Sequence, residues 1–302
     1  MRVLLIHNPN AGLDSRSEKP SIRAMEEAGH HVIVALPDDD LEAVECDLIA
    51  VAGGDGTVSK MVERFLDTPL PLTIIPLGIA NNIARSLGIA RTPDLLTRPL
   101  RSFAQATVET TNKRLCIGQF SGTNCEKHFI ESVGCGLLTR LIATGKSDKL
   151  QRQSAFNDVR DELHYRVETL RALLEEFDGA DYHITIDGQD LSGRYLLVEV
   201  MNISHVGPGL ELAPGKDPGS DKLELVLVGK DERHKLESYL SAVLSAIGNG
   251  EKPDTVFTRI PGKKVELKCQ TSEIHIDDKC LTSEQEKVFS IETGSHQVII
   301  AG

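Results

Sequence analysis

The run Gly53-Gly54-Asp55-Gly56-Thr57 follows the apolar stretch Asp47-Leu48-Ile49-Ala50-Val51-Ala52 and precedes a helical pattern over Val58 to Leu66. An apolar strand, a glycine turn and a helix start, in that order, predict a strand-turn-helix unit whose turn receives an anion. Glycine permits positive φ and lets a ligand approach with no Cβ in the way. The N–H groups of the helix's first turn point toward the turn, and the helix dipole favours negative charge there. Asp55 places a carboxylate inside the same turn. A carboxylate beside phosphate is unfavourable unless it holds a metal or takes a proton, so its position points to chemistry.

The pattern around this unit recurs. Val3 to His7 and His31 to Leu36 read as strands flanking a helix over Ser17 to Ala28, with Gly29 as its C-cap. Leu72 to Ile75 is a fourth strand, followed by a short helix to Leu87 and another from Pro93 to about Ala106. This order predicts an α/β N-terminal nucleotide-binding domain with a parallel sheet over residues 1–106. The texture then changes to short strand patterns, from Thr107 to Thr111, Lys113 to Phe120 and Lys127 to Val133 onward. They continue to Val288–Glu292 and Gln297–Ile300. Two helices interrupt them, Asn157 to Phe177 and Glu237 to Ile247. Residues 107–302 therefore read as a mostly-β sandwich C-terminal domain, its last strand a candidate to pack back on the first domain.

Composition narrows the function classes. The formal net charge of −12 and the absence of Trp argue against a phosphate-backbone binder and against base-stacking platforms, so no nucleic-acid partner is expected. The six cysteines show no CxxC spacing and read as reduced thiols, with Cys46 and Cys135 expected in the core. The N-terminal apolar run is too short for a signal peptide, and no stretch approaches a membrane span. The expectation is a cytoplasmic protein.

Three loops follow apolar strands: Asn8 to Gly12, Gly53 to Thr57, and Gly78 to Asn82. In an open parallel sheet such loops gather at the carboxyl ends of the strands, where ligands bind. Gly and Asn also make tight turns for structural reasons alone. The candidate nucleotide-binding residues are Asn8, Gly53, Gly54, Asp55, Gly56, Thr57, Gly78 and Asn81.

These segments resemble the diacylglycerol kinase catalytic family, which includes soluble bacterial lipid kinases and sphingosine kinases. Asn8-Pro9-Asn10-Ala11-Gly12 resembles its Asn-Pro-x-Ser-Gly opening, and Gly53-Gly54-Asp55-Gly56-Thr57 is identical to its glycine signature. Pro76 to Ile89 is similar to its Pro-x-Gly-Thr-Gly-Asn-Asp segment. Phe129 to Gly136, Asn202 to Pro214 and Asp217 to Leu225 fall, in order, where the family has its later motifs. The resemblance implies an α/β domain and a β-sandwich lipid-substrate domain with ATP and Mg²⁺. It implies transfer of the γ-phosphoryl group to a hydroxyl of a diacylglycerol- or sphingoid-type lipid at a membrane surface. It further implies metal ligands at Asp217 and Asp221, and a candidate homodimer.

The chain departs from the family pattern at Ile79 for Thr, Asn82 for Asp, Ser59-Lys60 for Asn-Glu and Ala35 for Thr. Ser220-Asp221 stands for Asp-Gly, and Lys279 for the Glu proposed as base. Lysine is a cation at neutral pH and a poor base. The candidate catalytic carboxylates are therefore Asp55 and Asp278, with Asp277-Asp278 also readable as a plain turn. Three functions follow: a lipid kinase, a catalytically impaired homologue that binds nucleotide or lipid as a regulator, and an NAD kinase- or phosphofructokinase-like enzyme. The last lacks the Thr-Pro-Thr-Gly-type segment it requires. The basic residues Arg140, Lys146, Lys149 and Arg152 read either as a lipid-headgroup contact or, preferably, as a solvated helix face and loop.

Overall fold

The computed structural model describes residues 1–12, 18–41, 44–66, 68–89, 113–122, 125–147, 156, 158–247, 253–269, 273–282 and 287–300. The chain divides into two compact units, Met1–Leu115 together with His296–Gly302, and Cys116–Ser295.

The first unit contains β1 (Arg2–His7), α1 (Glu18–Glu27), β2 (His31–Ala35), β3 (Leu48–Gly53), α2 (Asp55–Arg64), β4 (Leu72–Pro76) and α3 (Asn82–Ser86). The strands are parallel in the order β4-β3-β1-β2. Leu4, Ile6, Ile49 and Val51 are fully buried on one face. Val3, Leu5, Leu48, Ala50 and Ala52 pack with Met25 and Ile75 on the other. Burial on both faces is why these strands read as continuous apolar runs rather than alternating ones. Beyond β4, Ile300 near the chain's end pairs in parallel with Leu72. Gly29 takes φ +83° just after α1, a conformation that side chains resist. The expected elements Pro93 to Ala106 and Thr107 to Thr111 lie outside the described residues.

The second unit is built on antiparallel strands. It includes β5 (Lys113–Gly122, entered from the first unit), β6 (Cys125–Phe129), β7 (Ser132–Gly136), α4 (Leu137–Ser147) and α5 (Val159–Glu176). Then come β8 (Ala180–Ile186), β9 (Gln189–Asp190), β10 (Gly193–Met201), β11 (His205–Val206), β12 (Leu210–Glu211), β13 (Leu223–Gly229) and α6 (Arg233–Ala246). The chain continues through β14 (Thr258–Gly262), β15 (Lys264–Cys269), β16 (Glu273–Ile276), β17 (Lys279–Thr282) and β18 (Lys287–Ile300). β10 is central, paired with β13 on one side and with β7 and β8 on the other.

One core, with Val133, Val198, Val200, Leu225, Leu267 and Ile291, fills the sandwich. The opposite face of β10 and β13 is covered by helices, with Leu137, Leu138, Val167, Leu170, Leu236 and Leu240 against Leu197, Met201 and Val226. α5 starts where Asp158 caps it, its Oδ1 accepting from the amides of Arg160 at 2.7 Å and Asp161 at 2.9 Å. Its apolar stripe Leu163, Val167, Leu170 and Leu174 is buried, as the helical spacing predicts.

Several elements differ from the sequence reading. Lys127 to Val133 is split into β6 and β7. α4, whose apolar start continues directly from β7, buries Leu137 and Leu138 in the core while Arg140 is exposed, in keeping with a solvated face for that residue. The two last strands are one, because Gly294 continues the strand: a Cβ there would lie 2.3 Å from the carbonyl oxygen of Ile117. Cys135 is buried as expected, whereas Cys46 is half-buried.

Candidate functional site

In the first unit the loops after β1, β3 and β4 meet at the carboxyl ends of three adjacent strands. Asn8 Nδ2 donates to Thr57 Oγ1 at 2.7 Å, and Asn8 Oδ1 accepts from the Asn10 amide at 2.9 Å. The Leu77 amide donates to the Gly53 carbonyl at 2.9 Å. Gly54 and Gly78 lie back to back: a Cβ on Gly78 would stand 2.6 Å from Gly54 Cα. Asn81 holds its own loop shut, accepting from the Gly78 amide at 2.8 Å and donating to the Gly78 carbonyl at 2.9 Å. It does so from a left-handed conformation at φ 52°, which asparagine tolerates. The structure thus brings together Asn8, Gly53, Gly54, Asp55, Gly56, Thr57, Gly78 and Asn81.

Two details differ from the sequence reading. α2 begins at Asp55, three residues before Val58, so the carboxylate rides on the first helical turn. None of Gly53, Gly54, Gly56 or Gly78 has positive φ. Their glycines serve close approach: a Cβ on Gly53 would lie 2.6 Å from Thr57 Cβ. Gly54, at the cap of α2, has no side chain to satisfy the first-turn amides, which leaves that helix end suited to an outside anion.

Asp55 faces the third loop. Its Oδ1 accepts from the Ile83 amide at 3.0 Å, at the start of α3. Burial pushes its pKa up from the ordinary carboxylate range. The amides of Ile83, Asn82 and Asn81 and the Arg85 charge pull the other way. The carboxylate therefore ties the second loop to the third. Beside these loops, Pro37 and Asp38 after β2 and Lys60, Glu63 and Arg64 on α2 line an open groove of about 370 Å³. Lys60 pairs with Asp38 across it.

In the second unit Asp277 and Asp278 form the two-residue turn between β16 and β17, closed by the Ile276–Lys279 pair. Asp278 and Lys279 are exposed. Asp277 is the enclosed member. Its Oδ1 accepts from the amides of Glu131 at 2.8 Å, Ile130 at 3.1 Å and Ser132 at 3.3 Å. Burial pushes its pKa up to about 6, the three amides lower it and Asp278 adds to the rise. Sequence reasoning passed over Asp277 in favour of its neighbour. Asn202 pins the same region, its Nδ2 donating to the carbonyls of Cys116 at 2.8 Å and Ile130 at 3.0 Å.

The residues at 216–221 do not fit a resident metal. Asp217 Oδ1 accepts from the Gly219 amide at 2.9 Å, and exposed Asp221 is held by Lys263. The buried Lys216 Nζ donates to the Asp217 carbonyl at 2.7 Å, so a basic side chain already occupies the loop. Burial lowers the Lys216 pKa, and Asp217 and other neighbouring acids oppose the shift. No group of three His, Cys, Asp or Glu side chains suited to a metal occurs among the described residues. Of the basic segment, Arg140 stacks on the Phe177 ring at 4.3 Å. Lys149 and Arg152 lie outside the described residues, and no described helix is long and apolar enough to cross a membrane.

Comparison with known proteins agrees with this architecture. A diacylglycerol kinase of Bacillus subtilis (strain 168) is 27% identical over 242 residues, 76% of this chain and 74% of its own. A probable lipid kinase YegS-like of Yersinia pestis (strain Pestoides F) is 28% identical over 215 residues, 69% of this chain and 64% of its own. The structure of a putative diacylglycerol kinase from Bacillus anthracis str. Sterne shares the fold, with a TM-score of 0.64 at 19% identity over 99% of this chain and 96% of that one. The YegS C-terminal NAD kinase beta sandwich-like domain matches residues 142–284, and the diacylglycerol kinase catalytic domain matches residues 2–112, a span that includes all three loops. Both matches fall in order along the chain, so its first part is similar to the diacylglycerol kinase catalytic domain and its second to the YegS C-terminal domain.

Proposed function

We propose that this protein is an ATP-dependent lipid kinase that transfers the γ-phosphoryl group to a hydroxyl of a diacylglycerol- or sphingoid-type lipid. The observation that carries the reading is the convergence of three loops on the uncapped N-terminus of α2. Phosphoryl transfer needs positioned phosphates, neutralised charge and an acceptor for the hydroxyl proton. The amides of Asp55 and Gly56 on the first turn of α2 suit the phosphates. The groove from Pro37 to Arg64 suits the nucleoside. Mg²⁺ arrives with ATP as part of the substrate. Asp55, its pKa raised by burial, is the proton acceptor this unit offers, with Asp278 as the carboxylate of the second unit. The lipid is met at the membrane surface.

The test is transfer of label from γ-labelled ATP with Mg²⁺ to mixed micelles holding diacylglycerol, sphingosine, ceramide or phosphatidylglycerol. Labelled lipid is the expected product, and none in any mixture refutes the proposal. A second reading, a catalytically impaired regulator, is favoured by one observation: the turn carries exposed Lys279 where the family's base would stand. Under that reading the triple variant Lys279→Glu, Ile79→Thr, Asn82→Asp gains activity that the natural chain lacks. Ordinary turnover by the natural chain removes it.

A further inference from the structure

A polar row crosses the helix-covered face of the second unit, where apolar side chains would be the cheaper filling. Glu199 of β10, Gly134 of β7 and His275 of β16 stand opposite one another on three adjacent strands. Glu199 and His275 are both fully buried, with His275 Nε2 3.3 Å from Glu199 Oε2. On the other side of the ring, His275 Nδ1 lies 2.8 Å from Thr139 Oγ1 of α4. The Thr139 hydroxyl donates to the Gly134 carbonyl at 3.0 Å.

These bonds fix the tautomer. A hydroxyl has one proton, and that of Thr139 is spent on Gly134, so His275 Nδ1 carries the hydrogen that Thr139 accepts. Nε2 faces Glu199 Oε2 at 3.3 Å, an ion-pair distance at which neither atom completes a hydrogen bond. Gly134 is required here: a Cβ would stand 2.2 Å from Glu199 Oε1. Burying such a pair carries a desolvation cost that an apolar pair would not.

The hairpin β16–β17 gives the row a purpose. β16 is registered with β7 at two positions, His275 with Gly134 and Ile276 with Val133. The Cys280 thiol on β17 donates to the Thr139 carbonyl at 3.4 Å, so Thr139 touches both strands of the hairpin. We infer that Glu199, His275 and Thr139 are positioning residues that clamp this hairpin and thereby fix the Asp277-Asp278-Lys279 turn for phosphoryl transfer. The clamp stands on geometry, and its link to turnover rests on the proposed kinase function.

The experiment replaces the pair by apolar residues of similar size, Glu199→Leu with His275→Leu, in the full chain. The melting temperature is expected to hold or rise, because the desolvation cost is removed. The amides of Ile130, Glu131 and Ser132, which Asp277 binds, are expected to exchange hydrogen about 10-fold faster. In the lipid kinase assay kcat is expected to fall about 10- to 100-fold with KM for ATP unchanged. Glu199→Gln, which keeps the shape and a polar end beside His275, is expected to keep the protection. Thr139→Val, close in shape, supplies the same exchange readout should the double variant fail to fold. Unchanged exchange in these variants overturns the inference. Faster exchange with unchanged turnover overturns the role of the turn in transfer. Faster exchange in a chain with no kinase activity at all overturns the proposed function and leaves the clamp standing.

Discussion

Asp277→Asn isolates the electrostatics of the enclosed carboxylate. Asp277 is half-buried, its carboxylate held against the amides of Ile130, Glu131 and Ser132. Its pKa rises from the ordinary 3.8 to about 6. A rise of about 2 units at about 1.36 kcal/mol each corresponds to roughly 3 kcal/mol at most. The direction follows from which state binds the proton more tightly. Below about pH 4 Asp277 is protonated in both states, and its favourable contribution is complete. As pH rises through about 6 the folded protein must ionise a buried group, and that contribution is lost. Asparagine mimics the protonated form, since its oxygen can take the place of Oδ1 before the Glu131, Ile130 and Ser132 amides. Urea unfolding of the two proteins, followed by circular dichroism at pH 4, 5, 6 and 7, reads the effect. Titrating groups remote from the turn cancel in the difference, and the neighbouring Asp278, which adds to the rise, is relieved by the same substitution. The stability of the natural chain relative to Asp277→Asn is expected to fall by up to about 3 kcal/mol across that range. A difference that is flat with pH, or that grows in favour of the natural chain, would show that the three amides dominate and keep the carboxylate ionised.

Gly78→Ala is expected to destabilise the first unit by about 1–3 kcal/mol, since its Cβ would meet Gly54 Cα at 2.6 Å. Scanning fluorimetry measures the loss, and calorimetry should show ATP binding weakened with it. Asn8→Ala removes the bonds to Thr57 and Asn10 and is expected to cost about 1–2 kcal/mol, with weaker binding of a non-hydrolysable ATP analogue. Lys216→Ala is expected to lower the melting temperature. Chelator or added Mg²⁺ should leave the melting temperature of the nucleotide-free natural chain unmoved, because a lysine already occupies the 216–221 loop. A saturable rise with Mg²⁺ would contradict this.

The first unit was legible because its strands are apolar runs buried on both faces and its turns carry glycine and asparagine at their ends. The pairing of Asn8 with Thr57 and of Gly54 with Gly78 follows once three such loops share one sheet edge. What stayed hidden depended on partners distant in the chain. Glu199 and His275 are 76 residues apart (275 − 199), and no local pattern joins them. Adjacent Asp277 and Asp278 are chemically identical letters, and the left-handed φ of 49° at Asp277 decides which of them is enclosed. α2 begins earlier than expected, at Asp55, with Gly56, a poor helix former, inside its first turn. Gly294 suggested a break, yet it permits β18 to approach the backbone of β5.

The pairing of Ile300 with Leu72 makes the first unit discontinuous in the chain. Among the described residues, Ile300 of β18 is the partner recorded for β4 on the side away from β3. Without that segment β4 would present unpaired backbone groups on this side, the kind of edge on which chains aggregate. A fragment ending near residue 112 would keep the three loops but lose this closing segment, so it is expected to aggregate more readily than the chain that carries Ile300.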